Sequence, residues 1–201
     1  MRSSPKFFQL LKKSKSSGVL VEEVSWSRLG QITKGAVHQG IVLQIAASKT
    51  YDLKNLIEAC KPFGDSSLLL ALDGLTDPQN LGAIIRSAEA LGAQGLILPQ
   101  RRSAGLTGSV AKVAAGALEH LPVARVVNLN RSLEKLKDEG YRVVGLAEEG
   151  DLTLPEVTFQ GPLVVVVGAE DKGISLITRR LCDQLIRIPL KGVTTSLNAS
   201  V

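Results

Sequence analysis

The chain has 201 residues, which is enough for one α/β domain and a small appendage. Hydrophobic residues make up 44% of it and aromatic residues only 3%, so Val, Leu, Ile and Ala must form most of the core. No apolar run reaches the roughly 18 residues that a membrane-spanning helix needs. The N-terminus has neither the apolar stretch nor the cleavage site of a signal peptide. We therefore expect a soluble, cytoplasmic protein.

The positive charge of the chain is concentrated near its N-terminus. Residues 1–50 hold eight Lys or Arg and two acidic residues, a net charge of +6, against +5 for the whole chain. The remaining residues are therefore close to neutral, at −1. A basic segment gains affinity for nucleic acid because it releases counterions from the phosphates. The asymmetry favours phosphate contact by the N-terminal segment.

Cysteine and histidine are too few and too scattered for a metal site. The chain has Cys60, Cys182, His38 and His120, and none of them lies in a ligand spacing such as CxxC. We expect no metal, and we interpret both cysteines as small buried side chains.

The first 66 residues predict a short α/β unit followed by a linker. Hydrophobic periodicity predicts alternating helices and strands, followed by a connecting helix. The helices cover residues 7–13 and 27–32, the strands 18–24 and 40–46, and the connecting helix 52–60. Residues 61–67 carry Pro, Gly and Ser, which are typical of a linker.

The rest of the chain alternates between short apolar strands and helices. Strands are predicted at 68–73, 95–99, 123–127, 141–147, 163–170 and 185–190, with helices at 80–92, 106–119, 132–140 and 176–183. Continuous apolar strands separated by helices are typical of an α/β fold with a mostly parallel sheet and helices on both faces.

Three polar, glycine-containing segments follow strands of this sheet. They cover residues 73–86, 168–175 and 191–200. Ligands of open parallel sheets bind beyond the carboxyl ends of the strands, so these segments are the candidates for chemistry. No GxGxxG follows a strand, and neither a P-loop nor a GxSxG elbow occurs, so the common nucleotide-binding and hydrolase motifs are excluded.

Taken in order, the three segments resemble the three motifs of the SpoU (TrmH-type) RNA 2′-O-ribose methyltransferases of the SPOUT superfamily. The resemblance covers residues 66–201. The matching residues are Asn80, Gly82 and Arg86, then Gly168, Glu170, Gly173 and Ser175, then Ile188, Pro189, Leu190, Ser196, Leu197, Asn198 and Ser200.

The resemblance implies a domain organisation and a C-terminal trefoil knot. Residues 35–46 resemble the end of the ribosomal-protein-like RNA-binding domain of the RlmB-like ribosomal RNA subgroup. We expect a partial RNA-binding domain at 1–48, a linker at 49–66 and the methyltransferase domain at 67–201. Family members continue with a further helix that helps to form a homodimer, so the native chain is expected to extend past Val201.

The resemblance also implies the site residues and the cofactor S-adenosyl-L-methionine. The catalytic residues would be Asn80, Arg86, Glu170, Ser196 and Asn198, and the cofactor would lie against Gly168, Ile188 and Leu197. A guanidinium seldom deprotonates, so we expect Arg86 to hold a phosphate and stabilise the developing alkoxide. Asn80 is also expected to be the N-cap of its helix.

The function implied is guanosine 2′-O-methylation of structured RNA, with large-subunit (23S-type) ribosomal RNA as the expected substrate. A tRNA 2′-O-methyltransferase of the same family and a non-catalytic RNA-binding protein remain alternatives. His38 and Gln39, together with Arg101 and Arg102, are further candidates for RNA contact.

Overall fold

The computed structural model describes residues 5–16, 21–33, 35–42, 50–193 and 196–201. The chain divides into two units, Met1–Ile45 and Ala46–Val201. In the described ranges, every helix is too short or too polar to cross a membrane.

The N-terminal unit contains two helices, α1 (Pro5–Ser16) and α2 (Trp26–Ile32), which confirms both helices predicted there. The side chain of Ser25 caps α2 by accepting a hydrogen bond from the backbone of Arg28. The described parts of the two predicted strands, residues 21–24 and 40–42, are not in strands, and the other parts lie outside the described residues.

The larger unit is built on one parallel sheet. Its strands are β1 (Thr50–Tyr51), β2 (Leu68–Asp73), β3 (Gly95–Pro99), β4 (Val123–Val126), β5 (Arg142–Leu146), β6 (Leu152–Thr153), β7 (Leu163–Gly168) and β8 (Gln184–Arg187). The order across the sheet is β1-β4-β3-β2-β7-β5-β8-β6, and each neighbouring pair is parallel. The six predicted strands are confirmed. The two edge strands β1 and β6 have two residues each, too few for a hydrophobic period to reveal them.

Helices cover both faces of the sheet, as predicted. They are α3 (Leu53–Cys60), α4 (Pro78–Ala90), α5 (Gly108–Ala114), α6 (Leu129–Asp138) and α7 (Leu176–Leu181). Successive side chains of a strand point to opposite faces, and β2 places Leu69 in one core cluster and Leu72 in another. The first cluster includes residues of α3 and α6, and the second includes residues of α4 and α5.

The segment predicted as a linker, residues 49–66, contains a strand and a helix of the larger unit. Thr50 and Tyr51 pair with β4, and α3 follows directly with Leu56, Ile57 and Cys60 in the core. The apolar residues of α3 are three and four positions apart, which forms one buried stripe on a helix. The Pro and Gly that suggested a linker lie in a 3₁₀ segment, Lys61–Ser66, which is kinked at Gly64, where φ is +50°.

Replacement of Leu56 by Ala tests whether this segment is part of the domain. Leu56 is fully buried, so Leu56→Ala should lower the free energy of unfolding by about 2–5 kcal/mol through lost contacts and a residual cavity. Denaturant unfolding measures the change, and Lys54→Ala, at an exposed position of the same helix, is the control. Equal stability of the two variants would mean that α3 does not belong to the folded domain.

Candidate active site

The three predicted loops meet at one edge of the sheet. Strands β2 and β7 are parallel neighbours, and their last residues, Asp73 and Gly168, are paired in register. Strand β5 lies on the other side of β7, and β8 lies beside β5. The carboxyl ends of these four strands therefore share one edge, so the segments that follow them can line a common site.

A tight turn follows β7 and depends on the glycine at its start. Ala169 and Gly173 exchange two backbone hydrogen bonds, of 3.1 and 2.8 Å, which fold the chain back against β7. A Cβ atom on Gly168 would lie 2.1 Å from the carbonyl carbon of Gly173 and 2.2 Å from the nitrogen of Ile174. Both atoms belong to the backbone and cannot move aside. Only glycine fits at position 168.

Two side chains fix the end of this turn. The carboxylate of Asp73, at the end of β2, accepts a hydrogen bond of 2.9 Å from the backbone N–H of Ser175. Ser175 is the N-cap of α7, where Arg179 donates from Nε to the carbonyl oxygen of Ile174 at 2.9 Å. The Arg179 guanidinium also forms an ion pair with Glu149. These contacts tie the segments after β2, β5 and β7 together.

The segments after β5, β7 and β8 line a cavity of about 480 Å³, within the range of small-molecule sites. Six of the eight predicted site residues line it: Gly168, Glu170, Ile188, Ser196, Leu197 and Asn198. Apolar side chains from β5, β7 and β8 form much of the wall, namely Leu146, Val167 and Ile186.

The cavity also includes five charged residues besides the predicted Glu170. Four carboxylates, those of Glu148, Glu149, Glu170 and Asp171, face two cations, Lys172 and Arg179. A hydrogen bond from its own backbone N–H, followed by one from Arg179, lowers the pKa of Glu149 below the ordinary carboxyl value. The cavity therefore carries excess negative charge at neutral pH. The position of β5 beside β7 brings Glu148 and Glu149 here, and their local sequence gives no sign of it.

Asn80 is buried but is not the N-cap of α4, so that prediction is wrong. Asp77 is the cap, and its carboxylate accepts hydrogen bonds from the backbone N–H groups of Gln79 and Asn80. Proline favours the first helical position, so Pro78 sets the start of the helix. Asn80 is only 9% exposed, and among the described residues its side-chain amide has no hydrogen-bond partner. A buried amide is normally hydrogen-bonded, so we expect a water, a ligand or a second subunit beside it.

Arg86 lies farther along α4 and is exposed. It is not among the residues that line the cavity, and no carboxylate in the described ranges lies within 4 Å of its guanidinium. One chain therefore brings six of the predicted residues together and leaves Arg86 outside the cavity. The exposed guanidinium is available to a molecule that binds from outside.

Two further exposed arginines lie beyond β3. Arg101 and Arg102 are exposed on the loop that follows this strand. Arg125 of β4 donates to the carbonyl oxygens of Gln100 and Ala104, which bracket the pair, at 3.2 and 3.3 Å. The loop is therefore held at both ends, while its two cations remain in solvent.

Metal-ligand side chains and thiols are the other groups that could contribute chemistry here. The described part of the chain contains no group of three or more metal-ligand side chains. Burial raises the pKa of Cys60, and it raises the pKa of Cys182 to about 11. Both thiols therefore stay protonated at neutral pH and are poor nucleophiles.

Two family models match the chain on either side of the α3 segment. The model of the SpoU rRNA Methylase family matches residues 67–201, which include the whole cavity. The chain belongs to the SpoU rRNA methylase family. A second model, for the substrate-binding domain of RNA 2′-O ribose methyltransferases, matches residues 1–51.

Relatives and solved structures of SpoU proteins agree with this assignment. An uncharacterized tRNA/rRNA methyltransferase from Synechocystis sp. is 49% identical over 100% of this chain and 52% of its own length. The chain thus spans about half the length of this curated relative.

Two crystal structures share the fold. The SpoU methyltransferase AviRb from Streptomyces viridochromogenes, in complex with AdoMet, has a TM-score of 0.67 and 32% identity, and the match covers 76% of this chain and 60% of AviRb. An AdoMet-bound rRNA methyltransferase from Sinorhizobium meliloti has a TM-score of 0.68 and 27% identity, and the match covers 98% of this chain and 73% of that protein.

Proposed function

We propose that the chain is an S-adenosylmethionine-dependent RNA methyltransferase that methylates a guanosine ribose 2′-hydroxyl in large-subunit ribosomal RNA. The observation that carries the proposal is the cavity at the carboxyl edge of the sheet, in which the second and third family motifs converge. AviRb and the Sinorhizobium protein, which share this fold, were solved with AdoMet bound.

The residues of the cavity fit the proposed cofactor in size, shape and charge. A volume of about 480 Å³ suits a nucleoside that carries a methionine chain. The turn at Gly168 leaves no side chain in the way, and the apolar wall suits an adenine ring. The sulfonium and the ammonium of the cofactor are cations, which the carboxylates of Glu148, Glu149, Glu170 and Asp171 favour electrostatically. When bound, S-adenosylmethionine supplies an electrophilic methyl group.

In this proposal the protein positions the ribose and stabilises charge. Glu170, Ser196 and Asn198 lie at the cavity, where they can orient the ribose for in-line attack of its 2′-oxygen. Asn198 is itself held by hydrogen bonds that its side-chain oxygen accepts from the backbone and the hydroxyl of Ser200, at 2.9 and 2.6 Å. A guanidinium such as Arg86 seldom deprotonates, so in this proposal the phosphate beside the ribose or another group relays the proton of the 2′-hydroxyl to solvent.

A homodimer accounts for the position of Arg86. Arg86 does not line the cavity of its own chain, so we propose that it holds the substrate phosphate at the cavity of a second subunit. The side-chain amide of Asn80, on the same helix, has no partner among the described residues and could accept a contact from a second subunit. A C-terminal trefoil knot is part of the proposal. It is supported by Ala199, which packs against the core cluster of Leu72 and Leu81, although the chain reaches it from β8 on the far side of β5 and β7.

The choice of ribosomal RNA rests on the N-terminal unit and on the family. Residues 1–51 match a substrate-binding model, and residues 1–50 carry a net charge of +6. We propose that this unit, the RNA-binding domain predicted at the N-terminus, recruits the RNA. The relative from Synechocystis is described as a tRNA/rRNA methyltransferase, so tRNA is the alternative substrate that the test must include.

Methyl transfer to cellular RNA tests the proposal. The chain is incubated with methyl-labelled S-adenosylmethionine and with ribosomal RNA or tRNA from cells that lack the gene. The products are digested to nucleosides. We expect label in 2′-O-methylguanosine from large-subunit RNA. Label in tRNA alone would correct the substrate, and label in neither RNA would favour a non-catalytic RNA-binding protein.

A further inference from the structure

A pair of aromatic rings, one exposed and one half-buried, is the feature of the N-terminal unit that the proposed function leaves unexplained. Trp26, the first residue of α2, is the only tryptophan of the chain, and it is 60% exposed. The ring of His38 lies beside it, with centroids 4.7 Å apart and the planes tilted by 56°. A large ring in solvent forfeits the free energy that its burial would provide, so its exposure calls for a ligand.

The backbone holds the histidine of this pair in place. His38 begins a turn that closes with a hydrogen bond of 3.0 Å from the N–H of Ile41 to the carbonyl oxygen of His38. Gln39 and Gly40 both have positive φ, +47° and +86°. The N–H of Gly40 donates to Nδ1 of His38 at 3.1 Å, so a neutral ring carries its proton on Nε2. The imidazole therefore has a fixed orientation, and its Nε2 has no hydrogen-bond partner within the described ranges.

The indole is ordered by the same turn. A Cβ atom on Gly40 would lie 3.0 Å from the Trp26 ring, so the ring rests directly on the glycine backbone. Trp26, His38 and Gly40 thus form one packed group. The indole is held between His38 and Gly40, yet most of its surface remains in solvent. Little conformational freedom remains to be lost when a ligand binds.

The surroundings of the pair favour RNA as the ligand. Arg28, two residues after Trp26 on α2, is exposed and hydrogen-bonds Gln31. In the described ranges it has no carboxylate within 4 Å. The unit that carries the pair is basic, with a net charge of +6 over residues 1–50, and it therefore attracts the phosphates of RNA. Proteins recognise RNA mainly at unpaired bases, which stack on aromatic side chains.

We propose that Trp26 and His38 form a stacking site for an unpaired base of the RNA substrate. The inference rests on the proposed function, because it assigns the RNA-binding role of the N-terminal unit to particular side chains. It predicts that the chain prefers single-stranded loops to continuous duplex.

The single tryptophan allows a direct test in the unaltered protein. A short single-stranded RNA should reduce Trp26 emission in a saturable way, because a stacked base quenches an indole. A duplex of the same length offers the same phosphates without an unpaired base, and it should leave the emission nearly unchanged. Equal quenching by the two RNAs, or no response to either, would overturn the proposal.

Substitutions of aromatic residues test whether Trp26 contributes to RNA binding by stacking. Trp26→Ala should weaken binding of labelled single-stranded RNA by about 5- to 100-fold, whereas Trp26→Phe should retain most of the affinity. Phe63→Ala removes an exposed ring from the other unit and is the control that should bind as the unaltered chain does. Unchanged affinity of Trp26→Ala would also overturn the proposal.

The outcomes distinguish this inference from the proposed function. If the chain methylates RNA, but RNA does not quench Trp26 emission and Trp26→Ala does not weaken RNA binding, only the stacking site is wrong. If single-stranded RNA quenches Trp26 but no RNA accepts a methyl group, the stacking site stands and the enzymatic proposal fails.

Discussion

Gly168→Ala should abolish binding of S-adenosylmethionine, and methyl transfer with it. The added methyl group would lie 2.1 Å from the backbone of Gly173 and 2.2 Å from that of Ile174, so the turn that closes the cavity would have to open. Bond angles and side-chain rotations cannot relieve a clash between two backbone segments. Calorimetric titration with the cofactor measures the loss, and circular dichroism establishes that the variant is folded.

A matched glycine provides the control. Gly108, at the start of α5, has open space for 4 Å around the position that a Cβ atom would take, and its φ is not positive. Gly108→Ala should therefore bind the cofactor as the unaltered chain does. If Gly168→Ala bound the cofactor with unaltered affinity, the turn would not be part of the cofactor site.

Arg86→Ala should reduce methyl transfer by about 100-fold or more while leaving cofactor affinity nearly intact. Removal of one group that stabilises developing charge typically has an effect of about 10²–10³ on turnover. The cofactor cavity is unchanged, because Arg86 does not line it. Turnover and calorimetry measure the two effects separately. Arg131→Ala, an exposed arginine of α6 on the opposite face of the sheet, is the control.

Mixed subunits test whether Arg86 acts across a dimer. A dimer of one Arg86→Ala chain and one Gly168→Ala chain would contain one intact cavity that faces one intact arginine. The mixture should therefore regain activity that neither variant has alone. Glu170→Ala can replace Gly168→Ala if that variant does not fold. Persistent inactivity of the mixture would mean that Arg86 acts within its own chain, or not at all.

The central strands and their helices could be predicted because their patterns are long and uniform. Residues 68–73 form a continuous apolar run, and the structure has β2 over the same residues. The helix predicted at 80–92 corresponds to α4 at Pro78–Ala90. Burial on both faces requires such runs, so the sequence pattern and the structure have the same physical cause.

Other parts of the site depend on distances that no local pattern encodes. Glu149 and Arg179 are 30 residues apart and meet because β5 and β7 are neighbours in the sheet. Residues 49–66 resemble a linker in sequence because Pro62 and Gly64 outweigh the short apolar stripe of α3. The motif that begins at Asn80 suggests a helix cap at that residue. The helix instead begins two residues earlier, at Pro78, because proline favours the first helical position.

The account depends most on one cavity that accepts S-adenosylmethionine at the edge where β2, β5, β7 and β8 end. A calorimetric titration of the unaltered chain with the cofactor tests this directly. We expect saturable binding that Gly168→Ala abolishes and Arg86→Ala retains. Absence of binding by the unaltered, folded chain, or identical binding by all three proteins, would contradict the account.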